Sequence, residues 1–324
     1  MLALASLAVG TCCIPFMIAA VGTAFSSQVV QYTCFGMGFC CGAQHPTMSG
    51  LTRKWRLPTE TNWFASLDPL AAVTGSLANC LVISHLTQVL GWRNAMFVCS
   101  ALTWLVLVGV ALFLSEAPTA TGGLLPLGKE EAALYRAEGM LTENDDHTPS
   151  LPIQRRTLRS GRNGRTKALF LNAGTSGLIL SHAMYNAARY TFEQEMPKFY
   201  NDMLQEDNAV AGMHLATLHV SAFLIVLFLK ERVDGLVNAG TLSLISLRRI
   251  AVVSGYMLVA ASCGALAFLS VRAATATYVY TLTLNVLWVG LTLQTFGHVA
   301  NYYDITRTNS GLLMGVGNTI GERT

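Results

Sequence analysis

Charge is scarce in this sequence. Only 12% of the 324 residues are Asp, Glu, Lys or Arg, against roughly 25% in an ordinary soluble domain. Just over half (52%) are hydrophobic, too many for a water-soluble monomer to cover with polar side chains. The net charge of +3 is small and no Lys/Arg run is interleaved with aromatics, which excludes a nucleic-acid surface. Disulfide and zinc spacings are missing as well. All eight cysteines lie in apolar stretches and read as small membrane-buried side chains. No Ser/His/Asp order, metal-ligand cluster or phosphate loop occurs, so no catalytic residue, metal or cofactor is expected and the chain reads as a non-enzyme. The first residues, "MLALASLAVGTCCIPFMIAAVG", lack the basic n-region of a secretory signal and read as a membrane span.

What is present is long apolar runs. Hydropathy predicts an all-α, polytopic membrane bundle with eight spans, near residues 1–22, 28–52, 63–88, 93–114, 168–190, 209–229, 250–271 and 277–299, and a shorter apolar run from Ser310. Basic residues collect in alternate loops: Arg53, Lys54 and Arg56; the segment Glu116 to Lys167; and Lys230, Arg232, Arg248 and Arg249. The positive-inside rule puts those loops, including the central one, in the cytoplasm. The intervening stretch "FEQEMPKFYNDMLQED" is acidic. The predicted organisation is therefore an N-terminal half-bundle (1–115), a cytoplasmic loop (116–167) and a C-terminal half-bundle (168–324). The basic end of the loop could also touch anionic headgroups of the bilayer.

Several polar or small residues stand out inside the apolar runs. Gly38 and Gly42 are four apart, which permits close helix packing, and Pro46 interrupts the backbone ladder beyond them. Asp68 precedes Pro69 early in the third span, where starting the helix and a functional role, including proton coupling, are both open. Arg189 lies late in the fifth span. It either lines a cavity, where a fixed cation would attract an anion, or snorkels and pairs with Glu193 one turn on. Six histidines fall in or near spans: His45, His85, His182, His214, His219 and His298. Histidine titrates near neutral pH, so His182 and His219, in the helices flanking the acidic loop, are the first candidates for proton coupling.

Ordered along the chain, particular segments resemble the anion:cation symporter branch of the major facilitator superfamily, which contains sodium–phosphate cotransporters, sialin and vesicular glutamate transporters. The stretches are "GMGFCCGAQHPTMSGLTRKW…LPTE…GWRNAMFVCSA", "EMPKFYNDML", "VDGLVNAGTLSLISLRR" with Asp234 and Arg248, and "NYYDITRTNSGLLMGVGNTIG" with Asn301, Asp304, Gly315 and Asn318. The resemblance runs from about residue 10 to 321. It implies twelve spans, of which this chain would match the third through the start of the eleventh, with the last run a helix cut short. It further implies secondary active transport of a small organic or inorganic anion by alternating access, coupled to H+ or Na+. Positions where the family often carries Arg and Glu hold Cys34 and Cys41 here. A basic position of its seventh span holds Tyr185, with Arg189 one turn later on the same face. Arg189, Tyr185 and Asn186 are the implied substrate contacts. The alternative in another class is a non-transporting truncated isoform or degenerate paralogue acting as a membrane interaction protein.

Overall fold

The computed structural model describes residues 2–24, 26–42, 61–113, 172–269, 276–305 and 310–321. Every regular element among them is helical, with no strand, as apolar runs this long demand when each backbone group must be satisfied inside its own segment. The helices are α1 (Leu2–Thr23), α2 (Ser27–Gly42), α3 (Thr61–Ala78), α4 (Ser84–Leu90), α5 (Trp92–Phe113), α6 (Ala173–Lys198), α7 (Asn208–Asn238), α8 (Leu244–Phe268), α9 (Ala276–Leu293), α10 (Ala300–Ile305) and α11 (Ser310–Gly321). Single π-helical turns join α3 to α4 (Asn79–Ile83), extend α6 (Phe199–Met203) and link α9 to α10 (Thr295–Val299). Gly91, at φ 76° and ψ 155°, occupies backbone space that is essentially glycine's alone and separates α4 from α5.

Among the described residues five helical stretches are long and apolar enough to cross a membrane: Pro69–Leu90, Trp92–Val110, Asn208–Asn238, Leu244–Phe268 and Ala276–Tyr302. They match five of the eight expected spans. The run at 168–190 does fold as a helix, α6, but His182, Asn186, Arg189 and Glu193 make it too polar to count as an apolar span. The first run is helical as α1, Leu2–Thr23, within which Cys13–Thr23 is apolar. The described part of the second run ends at Gly42, and Pro46 lies outside the described residues. Large apolar side chains such as Leu105, Phe228, Val253, Met257 and Leu282 are more than half exposed. A soluble surface rarely carries such a display, which an integral membrane protein presents to lipid.

Contacts divide the chain into two compact units: residues 1–60, 97–180 and 307–315 in one, and 61–96, 181–306 and 316–324 in the other. The expected central loop, 116–167, falls outside the described residues. In the first unit α1 packs on α2. Ser100 Oγ, from α5, donates to the Pro15 carbonyl at 2.7 Å, meeting a buried polar group inside the bundle. Gly36, rather than Gly38, makes the close approach in α2. A Cβ on Gly36 would sit 3.2 Å from Met17 Cε, while no described atom lies within 4 Å of one on Gly38.

The second unit is built on α7, α8 and α9. Its core joins Val73, Met196, Tyr200, Leu218, Ala222, Val259, Leu284, Leu287, Trp288 and Leu291. The α8–α9 crossing is set by two glycines, because a Cβ on Gly255 would fall 2.6 Å from the Gly290 carbonyl oxygen. A second, smaller cluster packs Val233, Leu247 and Ala251 around Phe296. Two sequence expectations change here. Asp68 lies about two turns inside α3, which starts at Thr61, so it does not begin the helix; its side chain is not among those described. The eighth expected span, placed at 277–299, extends as helix through Ile305, because α10 continues α9 beyond the π turn.

Candidate functional site

The polar residues of α6 recur at helical spacing: His182, Tyr185, Asn186, Arg189 and Glu193, a 3–4 repeat that aligns them on one face. His182 and Asn186 are buried, and the others are partly buried. An apolar bundle accommodates such a stripe when its polar atoms find partners. Arg189 Nε donates to Glu193 Oε1 at 2.9 Å, and its Nη1 donates to the Tyr185 hydroxyl at 3.1 Å. The arginine is thus paired, and its charge is matched one turn along the same helix. Asn186 Nδ2 donates to Asn318 Oδ1 at 3.1 Å, which ties α6 to α11.

One end of the stripe reaches a break in the α9–α10 helix. Gly297 leaves helical space there (φ −93°, ψ −107°), and a Cβ in its place would fall 2.7 Å from Val252 Cγ2. Around the break Gln294, His298 and Tyr302 are buried at four-residue spacing. His182 Nδ1 shares a 2.8 Å hydrogen bond with the Tyr302 hydroxyl. His298 Nδ1 lies 3.3 Å from Gln294 Oε1, and Gln294 Nε2 donates to the Val252 carbonyl at 3.2 Å. The His182 and His298 rings are 5.1 Å apart. His298 Nε2 is buried without a hydrogen-bond partner among the described residues. Gly317 of α11 lets that helix lie against the Tyr302 hydroxyl and His182 Nδ1. Two imidazoles and a phenol in contact can pass or hold a proton. Among the described residues no group of three His, Cys, Asp or Glu side chains is placed to hold a metal.

The other end opens into a cavity of about 420 Å³ within the second unit, bounded by the π turn Asn79–Ile83 with α4, the end of α6, α7 and Trp288 of α9. Gly212 lets α7 approach that π turn, since a Cβ there would sit 2.6 Å from the Cys80 carbonyl oxygen. The lining mixes Phe192, Met196, Leu215 and Trp288 with Asn79, Ser84, Thr87, Glu193, Asn201, Asn208 and His219, the apolar wall with a few polar groups typical of a solute site. His219 is buried, edge-on to Trp288 with ring centroids 5.5 Å apart, and its Nδ1 has no hydrogen-bond partner among the described residues. Nearby, the Tyr200 hydroxyl bonds Thr281 Oγ1 at 2.6 Å, and Thr281 Oγ1 lies 3.1 Å from His214 Nδ1. Burial pushes the Tyr200 phenol above its ordinary value, so it stays a neutral donor.

The residues singled out in the sequence are distributed as follows. His182, Tyr185, Asn186, Arg189 and Asn318 come together along the stripe, and His219 lines the cavity at its far end. Arg248 and Asp304, from separate sequence stretches, meet in an ion pair with Nε–Oδ2 2.8 Å. Asn301 is half-buried in α10, and Asp234 lies near the end of α7. Glu193, Gln294, His298 and Tyr302 complete the arrangement. The signal for the last three was their i, i+4, i+8 spacing in an otherwise apolar run. No family model matches this sequence, and no curated protein aligns with it.

Proposed function

We propose that this chain is a secondary active transporter of small organic or inorganic anions, working by alternating access with H+ or Na+ as coupling ion. The observation that carries the reading is the polar face of α6. It is buried at His182 and Asn186, partly buried at Arg189 and Glu193, and runs from a solute-sized cavity to a broken helix that carries His298 beside His182. Polar side chains in such a setting are costly and mark solute or proton pathways, and interrupted helices near the site are the usual architecture of secondary transporters. The π turns at Asn79–Ile83 and Thr295–Val299 add to this, since such turns gather at functional positions. The series of segments that resembles the anion:cation symporter branch supplies the substrate class. In this reading Arg189 is the fixed cation, released to the anion when Glu193 is neutralised, and His182 with His298 handles the coupling proton. The basic loops, with the central one, face the cytoplasm.

The test is uptake into proteoliposomes holding the full 324-residue chain, with inorganic phosphate and small carboxylates as solutes. Gradient-driven uptake is expected, and Arg189→Ala should abolish it. Absence of any anion-stimulated flux from well-folded protein would falsify the reading.

A further inference from the structure

Hydrogen-bond polarity at the broken helix decides where one proton sits. Gln294 is fully buried between α9 and the π turn. Its Nε2 lies 3.2 Å from the Val252 carbonyl of α8. A carbonyl only accepts, so the amide must turn its NH2 that way and its oxygen the other. That oxygen, Oε1, lies 3.3 Å from His298 Nδ1. An amide oxygen also only accepts, so Nδ1 must carry a hydrogen. His298 is 2% exposed, and among the described residues no carboxylate pairs with it. A buried, uncompensated imidazolium is costly, so the ring is neutral here and its one hydrogen is on Nδ1. The lone pair is therefore on Nε2, which is buried with no partner among the described residues. Gly255 leaves the room for this, since a Cβ there would fall 2.5 Å from Gln294 Nε2.

We propose that Gln294 is a positioning residue, which holds His298 in the Nδ1–H tautomer and so makes Nε2 the atom at which the broken helix takes up a proton. That this proton is the coupling ion rests on the transporter reading; the tautomer does not. A hydrogen added at Nε2 turns the imidazole into an imidazolium, the Nε2 lone pair forming the new bond while no other bond breaks. The Nδ1–H bond to Gln294 stays in place, so the proton leaves by the atom it entered. The titratable rings against His298 are His182 and Tyr185 of α6, with centroids 5.1 and 4.9 Å away. Tyr302 of α10 bonds His182. From α8, Arg248 reaches the Phe296 carbonyl and pairs with Asp304. α3 packs on the π turn and carries Asp68, whose side chain is not among those described. α11 brings no titratable side chain.

The experiment is nitrogen-15 NMR of the full chain in lipid bilayers, labelled at the histidine rings, with His298→Gln to assign the His298 resonances. At alkaline pH His298 is expected to show Nδ1–H and a bare Nε2, the reverse of the form that an unconstrained imidazole favours in water. Gln294→Met keeps the volume but removes the acceptor, and should shift the tautomer ratio toward Nε2–H by about tenfold or more. The wild-type spectrum decides the tautomer even if this variant folds poorly. On acidification to about pH 4.5, two units below the ordinary value of histidine, Nε2 should gain its hydrogen. An Nε2–H ring in the wild-type chain, an unchanged tautomer in folded Gln294→Met, or a ring still neutral at that pH would each overturn the proposal. An Nδ1–H ring that gains its Nε2 hydrogen, in a protein without flux in proteoliposomes, would leave the assignment standing and sink transport instead.

Discussion

Arg248 is placed where lysine cannot stand in for it. Its Nε meets Asp304 Oδ2 at 2.8 Å while its Nη1 reaches the Phe296 carbonyl at 2.8 Å, with only 7% of the side chain exposed. One planar fork thereby holds α8 to α10 and to the π turn that contains Gly297, a geometry an ammonium on a flexible stem does not reproduce. Arg248→Ala should lower stability by about 3 kcal/mol, the low end for a broken buried pair, because Asp304 keeps 20% of its side chain in contact with solvent. Arg248→Lys should recover only part of that loss, and denaturant unfolding of the purified chain in detergent measures both. A second expectation concerns His182. Tyr302→Phe removes the hydroxyl bonded to Nδ1 and should cost about 1 kcal/mol. It should also slow proton-coupled uptake more than binding if the His182–His298 contact carries the proton, a difference that flux and thermal-shift assays on one preparation resolve. The sequence made Arg248 and Asp304 visible as members of two separate stretches. Their pairing was not legible, because it depends on how α9 breaks before α10.

At the scale of helices, close packing is set by a few glycines, and sequence spacing alone did not say which. Gly38 carries the four-residue repeat, yet no described atom lies within 4 Å of a Cβ there, while Gly36 meets Met17 and a close crossing uses Gly255 and Gly290 on different helices. A spacing rule identifies a smooth helix face, but whether a partner lies on it depends on the neighbour's path. Gly255→Ala puts a methyl 2.5 Å from Gln294 Nε2 and 2.6 Å from the Gly290 carbonyl. It should destabilise by about 1–3 kcal/mol, as overpacking does. Gly235→Ala, in α7 with no described atom within 4 Å of the new Cβ, should stabilise by about 0.5–1 kcal/mol through helix propensity and a more restricted unfolded chain. The two variants, unfolded side by side, separate contact from propensity. Opposite signs are expected, and the same sign for both would mean that the α8–α9 crossing yields. Most of the described helices, by contrast, were legible as apolar runs. Asp207 caps α7 by accepting from Ala209 and Val210 at 3.0 and 2.9 Å, and such Asp-led starts are written in the sequence. The polarity of α6 was also on the page as a run of His, Asn, Arg and Glu. Reading it as one more apolar span missed that a helix can spend a whole face on polar groups when they pair with one another and with neighbouring helices.

For the whole chain, composition decided the class, because a sequence with 12% charged residues and 52% hydrophobic ones has no soluble way to hide its apolar surface. Topology is a stronger claim, resting on the alternation of basic and acidic segments, and α7 is the helix on which it is most directly tested. It has 31 residues and the joint highest hydropathy of the five candidate spans, and at 1.5 Å per residue it is about 46 Å long, enough to cross a hydrocarbon core of roughly 30 Å with turns to spare. The acidic stretch ending at Asp207 precedes it, and Lys230, Arg232, Arg248 and Arg249 lie near or beyond its other end. Gln205 and Thr241 are both exposed and flank the helix. With the native cysteines replaced, Gln205→Cys should react with a membrane-impermeant maleimide added to intact cells or right-side-out vesicles. Thr241→Cys should react only after permeabilisation. Labelling of both from the same face would mean that α7 does not cross the membrane and would remove the support for a cytoplasmic central loop. Reversed labelling would keep α7 as a span and turn the molecule over. The cavity at Glu193, lined by the N-terminal half of α7, would then lie toward the cytoplasmic end of that helix.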